Sequence, residues 1–187
     1  MSNPTLEPIL AELNAITADA KSEFGALSAA QINWKPAADK WSIAQCFDHL
    51  INANVAFFPE MERIIAGGRK NSTWESISPF TGFIGRWMIK SLDPKSQKRL
   101  PAPKQALPST SDVDPAIIDR FAENQAKVHA LIAATDGIDL KKTVITSPFL
   151  KVATYSLLDG FQIVAVHERR HLGQAQRVMQ APGFPAA

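Results

Sequence analysis

The sequence predicts an all-α protein, a four-helix bundle, and three observations carry that prediction. Four stretches repeat apolar residues at helical spacing, no alternating strand pattern recurs often enough to build a sheet, and the connections after the second and third stretches are long. The chain has 187 residues, 45% apolar and 20% charged, which is enough for one domain with a real core, so residues 1–187 are expected to form a single domain.

The first stretch runs from about Thr5 to Phe24, with Leu6, Ile9, Leu10, Leu13, Ile16 and Ala20 on one face. The second runs from about Ser42 to Ala66. Ser42 is its expected N-cap, because a hydroxyl there can accept from a free backbone N–H of the first turn. Its stripe is Ile43, Cys46, Phe47, Leu50, Ala53, Phe57, Met61 and Ile64. Pro59 is expected to kink or split it, and Gly67-Gly68 to end it. The third runs from about Asp114 to Thr135, with Asp114 as N-cap, Pro115 as first helical residue, and a stripe of Ile117, Phe121, Val128, Leu131 and Ile132. The fourth runs from about Thr154 to Gln180, with Leu157, Phe161, Val164, Val178 and both His167 and His171 along one face, and Pro182-Gly183 stops it.

The connections differ in kind. Leu27 to Trp41 reads as a compact ordered turn. Gly67 to Val113 is long and proline-rich, and within it Phe80 to Leu92 is expected to form a short extra helix over the bundle. Between Asp136 and Ala153, the segment Thr143–Thr146 reads as extended.

Bulk properties exclude several partner classes. Net charge is +2, from 20 basic and 18 acidic residues, and the densest basic stretch, Lys95 to Lys104, lies among prolines without interleaved aromatics, so no nucleic-acid partner is expected. No apolar run approaches the roughly 18 residues that a membrane span requires, so no membrane association is expected. A single cysteine, Cys46, rules out an intramolecular disulfide. With no signal-peptide pattern at Met1–Pro4, the expected location is the cytoplasm.

The chemistry concentrates in Val166-His167-Glu168-Arg169-Arg170-His171. His167 and His171 are one helical turn apart, so both imidazoles lie on one face and can reach one metal ion if a third ligand arrives from elsewhere. Only His49 and His129 remain as histidine candidates, and both lie at the edge of their apolar stripes, so periodicity does not separate them. Local context favours His49, which sits in an apolar turn with Gln45 one turn before it.

The segment Trp41-Ser42-Ile43-Ala44-Gln45-Cys46-Phe47-Asp48-His49-Leu50 resembles the second-helix motif of the DinB-like metalloprotein superfamily. His167-x-x-x-His171-Leu172-Gly173-Gln174 resembles its fourth-helix motif. The two occur in the expected order, and the resemblance covers nearly the whole chain. It implies an up-down-down-up four-helix bundle whose long connection follows the second helix. It also implies a divalent metal, zinc or nickel, on His49, His167 and His171, and matches His129 to no ligand position. The 67–113 segment, where family members vary, is left uninterpreted by the resemblance.

Three neutral imidazoles leave coordination positions open, the mark of a catalytic rather than a structural site. Such a metal can activate water or deprotonate a thiol. The resemblance implies a small-molecule substrate, with a low-molecular-weight thiol as co-reactant in the thiol-dependent transferases and isomerases; hydrolysis is the other enzymatic reading. A non-catalytic metal-binding or dimerising helical module is the alternative, and a homodimer is expected in either case. Gln45, Asp48, Asp159 and Gln174 are candidates to bond the outer ring nitrogens. Glu168 is expected on a solvated helix face in preference to acting as a general base. Arg169 and Arg170 are expected as surface charges or a bundle-end salt bridge in preference to contacts with an anionic substrate. Cys46 is read as a buried small hydrophobe. Of the four tryptophans, Trp74 and Trp87 are the ones expected to line a pocket.

Overall fold

The computed structural model describes residues 3–96, 102–109 and 112–186. Residues 97–101 of the basic stretch and part of the 67–113 connection therefore lie outside the described residues. The described chain is mostly helical. Four long helices are α1 (Glu7–Phe24), α3 (Ile43–Ile65), α6 (Ile117–Ala133) and α7 (Leu157–Met179); three shorter ones are α2 (Ala29–Asn33), α4 (Thr73–Ile77) and α5 (Thr81–Leu92). The four long helices are those that the apolar periodicity predicts, and α5 is the extra helix expected at 80–92.

Each long helix packs against two others, α3 against α6 and α7, and α1 against α6 and α7. The interior divides into two apolar clusters. One joins Phe24 of α1, Phe47 of α3, Phe121 of α6 and Leu172 of α7. The other joins Leu13 of α1, Met61 of α3, Ile132 of α6 and Phe161 of α7. Between them, at Asn54, Gln125 and Glu168, the buried side chains turn polar. Cross-links order the helices: Arg169 reaches Glu12 and Asp19 at 2.7 and 2.6 Å, Gln176 reaches Glu23 at 2.9 Å, Asn54 reaches Asn124 at 2.9 Å, and Lys127 reaches Glu62 at 3.0 Å.

Four expectations need correction. A small antiparallel sheet exists, β1 (Val144–Thr146) paired with β2 (Thr154–Ser156), with Ile145 opposite Tyr155. Three-residue strands are too short for an alternating pattern to register in sequence. The fourth long helix therefore starts at Leu157 rather than Thr154, where Ser156 caps it by accepting from Asp159 N at 3.0 Å. Of the two outcomes expected at Pro59, the split does not occur, since α3 runs unbroken from Ile43 to Ile65. Nor is Asp114 the N-cap of α6: its carboxylate accepts from Ala116 N at 2.9 Å in a preceding turn, and the helix begins at Ile117. The segment before Trp41 is ordered as expected and contains α2, closed by a capping box between Ser28 and Gln31.

Candidate metal centre

The site begins with the start of α3. Ser42 Oγ accepts from Gln45 N at 3.1 Å while Gln45 Oε1 accepts from Ser42 N at 3.2 Å, a reciprocal cap that fixes where the helix begins. Trp41 immediately precedes that cap, and His49 follows two turns into the helix. Trp41 lies against two histidine rings: its centroid is 4.9 Å from that of His49 and 5.7 Å from that of His171, nearly parallel to the latter at 21°.

α7 brings His167 and His171 to the same place. The three ring centroids lie 4.6 to 5.0 Å apart. One potential ligand nitrogen from each of His49, His167 and His171 falls within 4.8 Å of the others, and this is a cluster able to hold a metal ion among the described residues. His129, half-buried on α6, is not part of it.

The surroundings of each ring fix which nitrogen it can offer. His49 Nδ1 faces the Ala106 carbonyl, which can only accept, so Nδ1 carries the proton and Nε2 presents a lone pair. That Nε2 is 3.1 Å from His167 Nε2. A tetrahedral ion with metal–nitrogen bonds of about 2.1 Å sets its nitrogens roughly 3.4 Å apart, so this pair is close to the spacing such an ion needs. His171 Nδ1 is buried and has no hydrogen-bond partner, although the Gln174 side chain is near enough to favour the charged ring slightly. An orphaned buried ring nitrogen costs about 1–3 kcal/mol unless something completes it. The donor set fits a divalent transition metal on these grounds.

Burial is the largest cause of a lowered pKa at all three rings. His167 is pushed down to about 3, with the neighbouring His49 and then Arg170 adding to the effect. His171 is held well below the ordinary histidine value by burial, then by His167, His49 and Arg170. At His49 burial outweighs the Ala106 hydrogen bond and Asp48, which favour the charged form. All three are neutral at pH 7, the state a metal requires.

The neighbouring residues sort differently from expectation. Gln45 and Asp48 direct their hydrogen bonds to Ser109 rather than to the rings. Asp159 sits in the first turn of α7, where its carboxylate packs against Gly85 of α5, away from the histidines. Glu168 is the clearest correction. It is 0% exposed, not solvated, accepting from Asn54 Nδ2 at 2.8 Å and from Gln125 Nε2. Burial raises its carboxyl to about 7, while the two amide bonds act in the opposite direction. Arg169 makes ion pairs with Glu12 and Asp19 of α1, along the length of the two helices rather than at a bundle end. Arg170 Nη1 donates to the carbonyls of Asp93 and Ser96 at 3.3 and 3.2 Å, fastening the chain after α5 onto α7. Cys46 is fully buried with its thiol pushed up to about 12, in keeping with a packing role. Trp74 and Trp87 are 38% and 46% exposed on the α4–α5 side and touch none of the histidines; Trp41 is the tryptophan at the site. An apolar cleft of about 30 Å³ between Asn54, Phe58, Met61, Val128 and Phe161 contains no histidine and is too small for a substrate.

A helical chain with a Trp-Ser-capped helix supplying one histidine and a His-x-x-x-His helix supplying two can be compared with known families. The DinB superfamily model matches residues 5–175. The chain belongs to the DinB superfamily. No curated protein and no solved structure matches it. Within this DinB-superfamily member, the match includes all three residues of the histidine cluster. No described helix is long and apolar enough to cross a membrane.

Proposed function

We propose that this protein binds one divalent metal, zinc or nickel, through His49, His167 and His171, and that it is a metal-dependent enzyme acting on a small molecule. The observation that carries the reading is the convergence of three neutral imidazoles from two helices, His49 and His171 buried and His167 half-buried, one with an orphaned ring nitrogen. Three protein ligands leave positions free for a substrate. When bound, the metal supplies a Lewis acid that activates a thiol or water. The chain's own residues do the rest: the Ala106 carbonyl orients His49, and the Trp41 face shields one side of the cluster from water. Thiol-dependent transfer or isomerisation with a low-molecular-weight thiol is the preferred chemistry, hydrolysis the next, in a cytoplasmic homodimer. An up-down-down-up helix order goes with this reading. It is supported by the cross-links, whose residue numbers rise together on α1 and α7 and on α3 and α6.

The test is elemental analysis and metal titration of the purified full chain, then a screen of electrophiles with several low-molecular-weight thiols. About one equivalent of zinc or nickel and turnover with one thiol are expected. Absence of any divalent metal binding sinks the metal reading. Tight metal binding with no turnover across thiols and hydrolysable esters would favour the alternative, a non-catalytic metal-binding or dimerising module.

A further inference from the structure

We propose that Asp48 is a positioning residue for the metal centre: it anchors the 104–109 segment on α3 and so sets the Ala106 carbonyl that fixes the tautomer of His49. This rests on the reading of His49, His167 and His171 as a metal site.

The Ala106 carbonyl lies in a single 3-10 turn, Lys104–Ala106, between Pro103 and Pro108. Within the turn only two backbone bonds form, Ala106 N to Pro103 O at 2.9 Å and Leu107 N to Lys104 O at 3.4 Å. One such turn is not stable by itself, because ordering its residues costs more than two bonds return. Something outside the turn must hold it: Ala106 is buried against α3, and among the described residues the polar hold is at Ser109. Its N–H and its hydroxyl both donate to Asp48 Oδ2, at 2.7 and 3.0 Å, and its carbonyl accepts from Gln45 Nε2 at 2.8 Å. Gln45 and Asp48 are one turn apart on α3, and His49 is the next residue. Three bonds from one helical turn therefore clamp the segment whose carbonyl receives the His49 proton. Asp48 is itself buried, so its carboxylate has exchanged water for these donors.

The chemical consequence is specific. With Nδ1–H committed to Ala106, His49 offers Nε2, the nitrogen that faces His167. If the segment lifts away, Nδ1 loses its acceptor, either tautomer becomes available, and the ring is free to rotate. The Asp48 carboxylate bonds Ser109 and not the rings, yet it decides which His49 nitrogen is available as a ligand. Gln45 also caps α3, so its replacement would mix two effects; Asp48 separates them.

The experiment uses the full chain as wild type, Asp48→Ala, Asp48→Asn and Ser109→Ala. Imidazole tautomers are read by long-range nitrogen–proton NMR on the metal-free protein, and zinc affinity by competition with a chromogenic chelator. Wild type is expected to show His49 protonated at Nδ1. Asp48→Ala is expected to mix the tautomers and weaken zinc binding about 10–100-fold. Asp48→Asn keeps an oxygen that can accept both Ser109 bonds, so it should stay within a few-fold of wild type. Ser109→Ala, which leaves α3 untouched and serves if Asp48→Ala does not fold, should move both readouts the same way by less. An unchanged His49 tautomer in Asp48→Ala and Ser109→Ala overturns the proposal, as does Asp48→Asn behaving like Asp48→Ala, which would make charge rather than anchoring the cause. If wild type binds no zinc, the metal reading fails by itself, and the tautomer measurement still decides whether Asp48 positions His49.

Discussion

His167 and Glu168 are consecutive on α7, point about 100° apart, and belong to two buried polar groups with opposite balances of donors and acceptors. Glu168 meets amide donors on both oxygens, Asn54 from α3 and Gln125 from α6, and Asn54 in turn reaches Asn124. His167 meets another acceptor-bearing ring at 3.1 Å, while the third ring leaves Nδ1 without a partner. The Glu168 carboxylate is thus closed by its own chain, with Gln125 Oε1 left over at the edge of its cluster, whereas in the histidine cluster the firm hold is the Ala106 carbonyl, with Gln174 near His171. Burial alone does not mark a functional site; converging lone pairs that the protein leaves uncompleted do.

The largest expected effect breaks the histidine side of that comparison. Replacing His49, His167 or His171 by Ala should each lower zinc affinity by more than about 100-fold, beyond what loss of an outer partner reaches. Removing the metal with a chelator should lower the melting temperature of wild type and leave the variants unmoved, as measured by differential scanning fluorimetry. Three single variants that all keep wild-type affinity would put the metal elsewhere.

Next comes the closed cluster. Glu168→Ala strands Asn54 and Gln125 among buried residues, and about 2–4 kcal/mol of stability should be lost in urea denaturation. Zinc affinity of whatever protein remains folded should change only a few-fold, because Glu168 points into the layer between the two apolar clusters. A folded Glu168→Ala protein that binds no metal would show that the two groups are one site.

The pH dependence of the metal-free protein separates the two groups by sign. The histidine pKa values are lowered on folding, so the folded state takes up fewer protons and stability falls as pH drops below about 6.5. The Glu168 carboxyl moves the other way, from 4.5 up to about 7. It is protonated in both the folded and unfolded states below 4.5, and stability falls as pH rises from there to about 7. The two slopes oppose each other between 4.5 and 6.5. Glu168→Gln removes only the second, so its stability relative to wild type should improve between pH 4.5 and 7.5. The gain should be on the order of 2–3 kcal/mol, since one proton taken up differently by the two states changes stability by about 1.4 kcal/mol for each pH unit. A difference that stays flat across that range would mean Glu168 titrates normally in the fold.

How much of this is legible in the sequence follows from the range over which each signal acts. The four long helices and the His167/His171 pair rest on spacings of three and four residues, which the chain displays directly. The choice of His49 over His129 needs the Trp41-Ser42 opening as well, since both sit at stripe edges. Glu168 defeats a reading by periodicity because the buried stripe of α7 runs through Phe161, Ala165, Glu168, Leu172 and Ala175. Two alanines leave that stripe faint, and its charged member makes it look like a solvent face. The Ala106 and Ser109 contacts are out of reach, because a proline-rich loop carries no period that points it at a helix some 60 positions earlier.

Arg169 supplies the smallest expected effect and the third face of the same helical turn. A further 100° beyond Glu168, its guanidinium spans Glu12 and Asp19 of α1, with Nε and Nη1 each taking one carboxylate. The arginine side chain is 31% exposed and the two carboxylates 42%, so solvent screens both pairs. Exposed pairs contribute about 0–1 kcal/mol each, and a shared cation holding two acids favours the upper part of that range. Arg169→Met, which keeps most of the packed stem, should cost about 1 kcal/mol at low salt and less at high salt, where at about 1 M the screening length falls to roughly 3 Å. Zinc affinity and the Glu168-linked pH slope should not move. If Arg169→Met weakens zinc binding as much as Asp48→Ala, then α1 packing sets the histidine geometry, and the three faces of residues 167–169 are not independent.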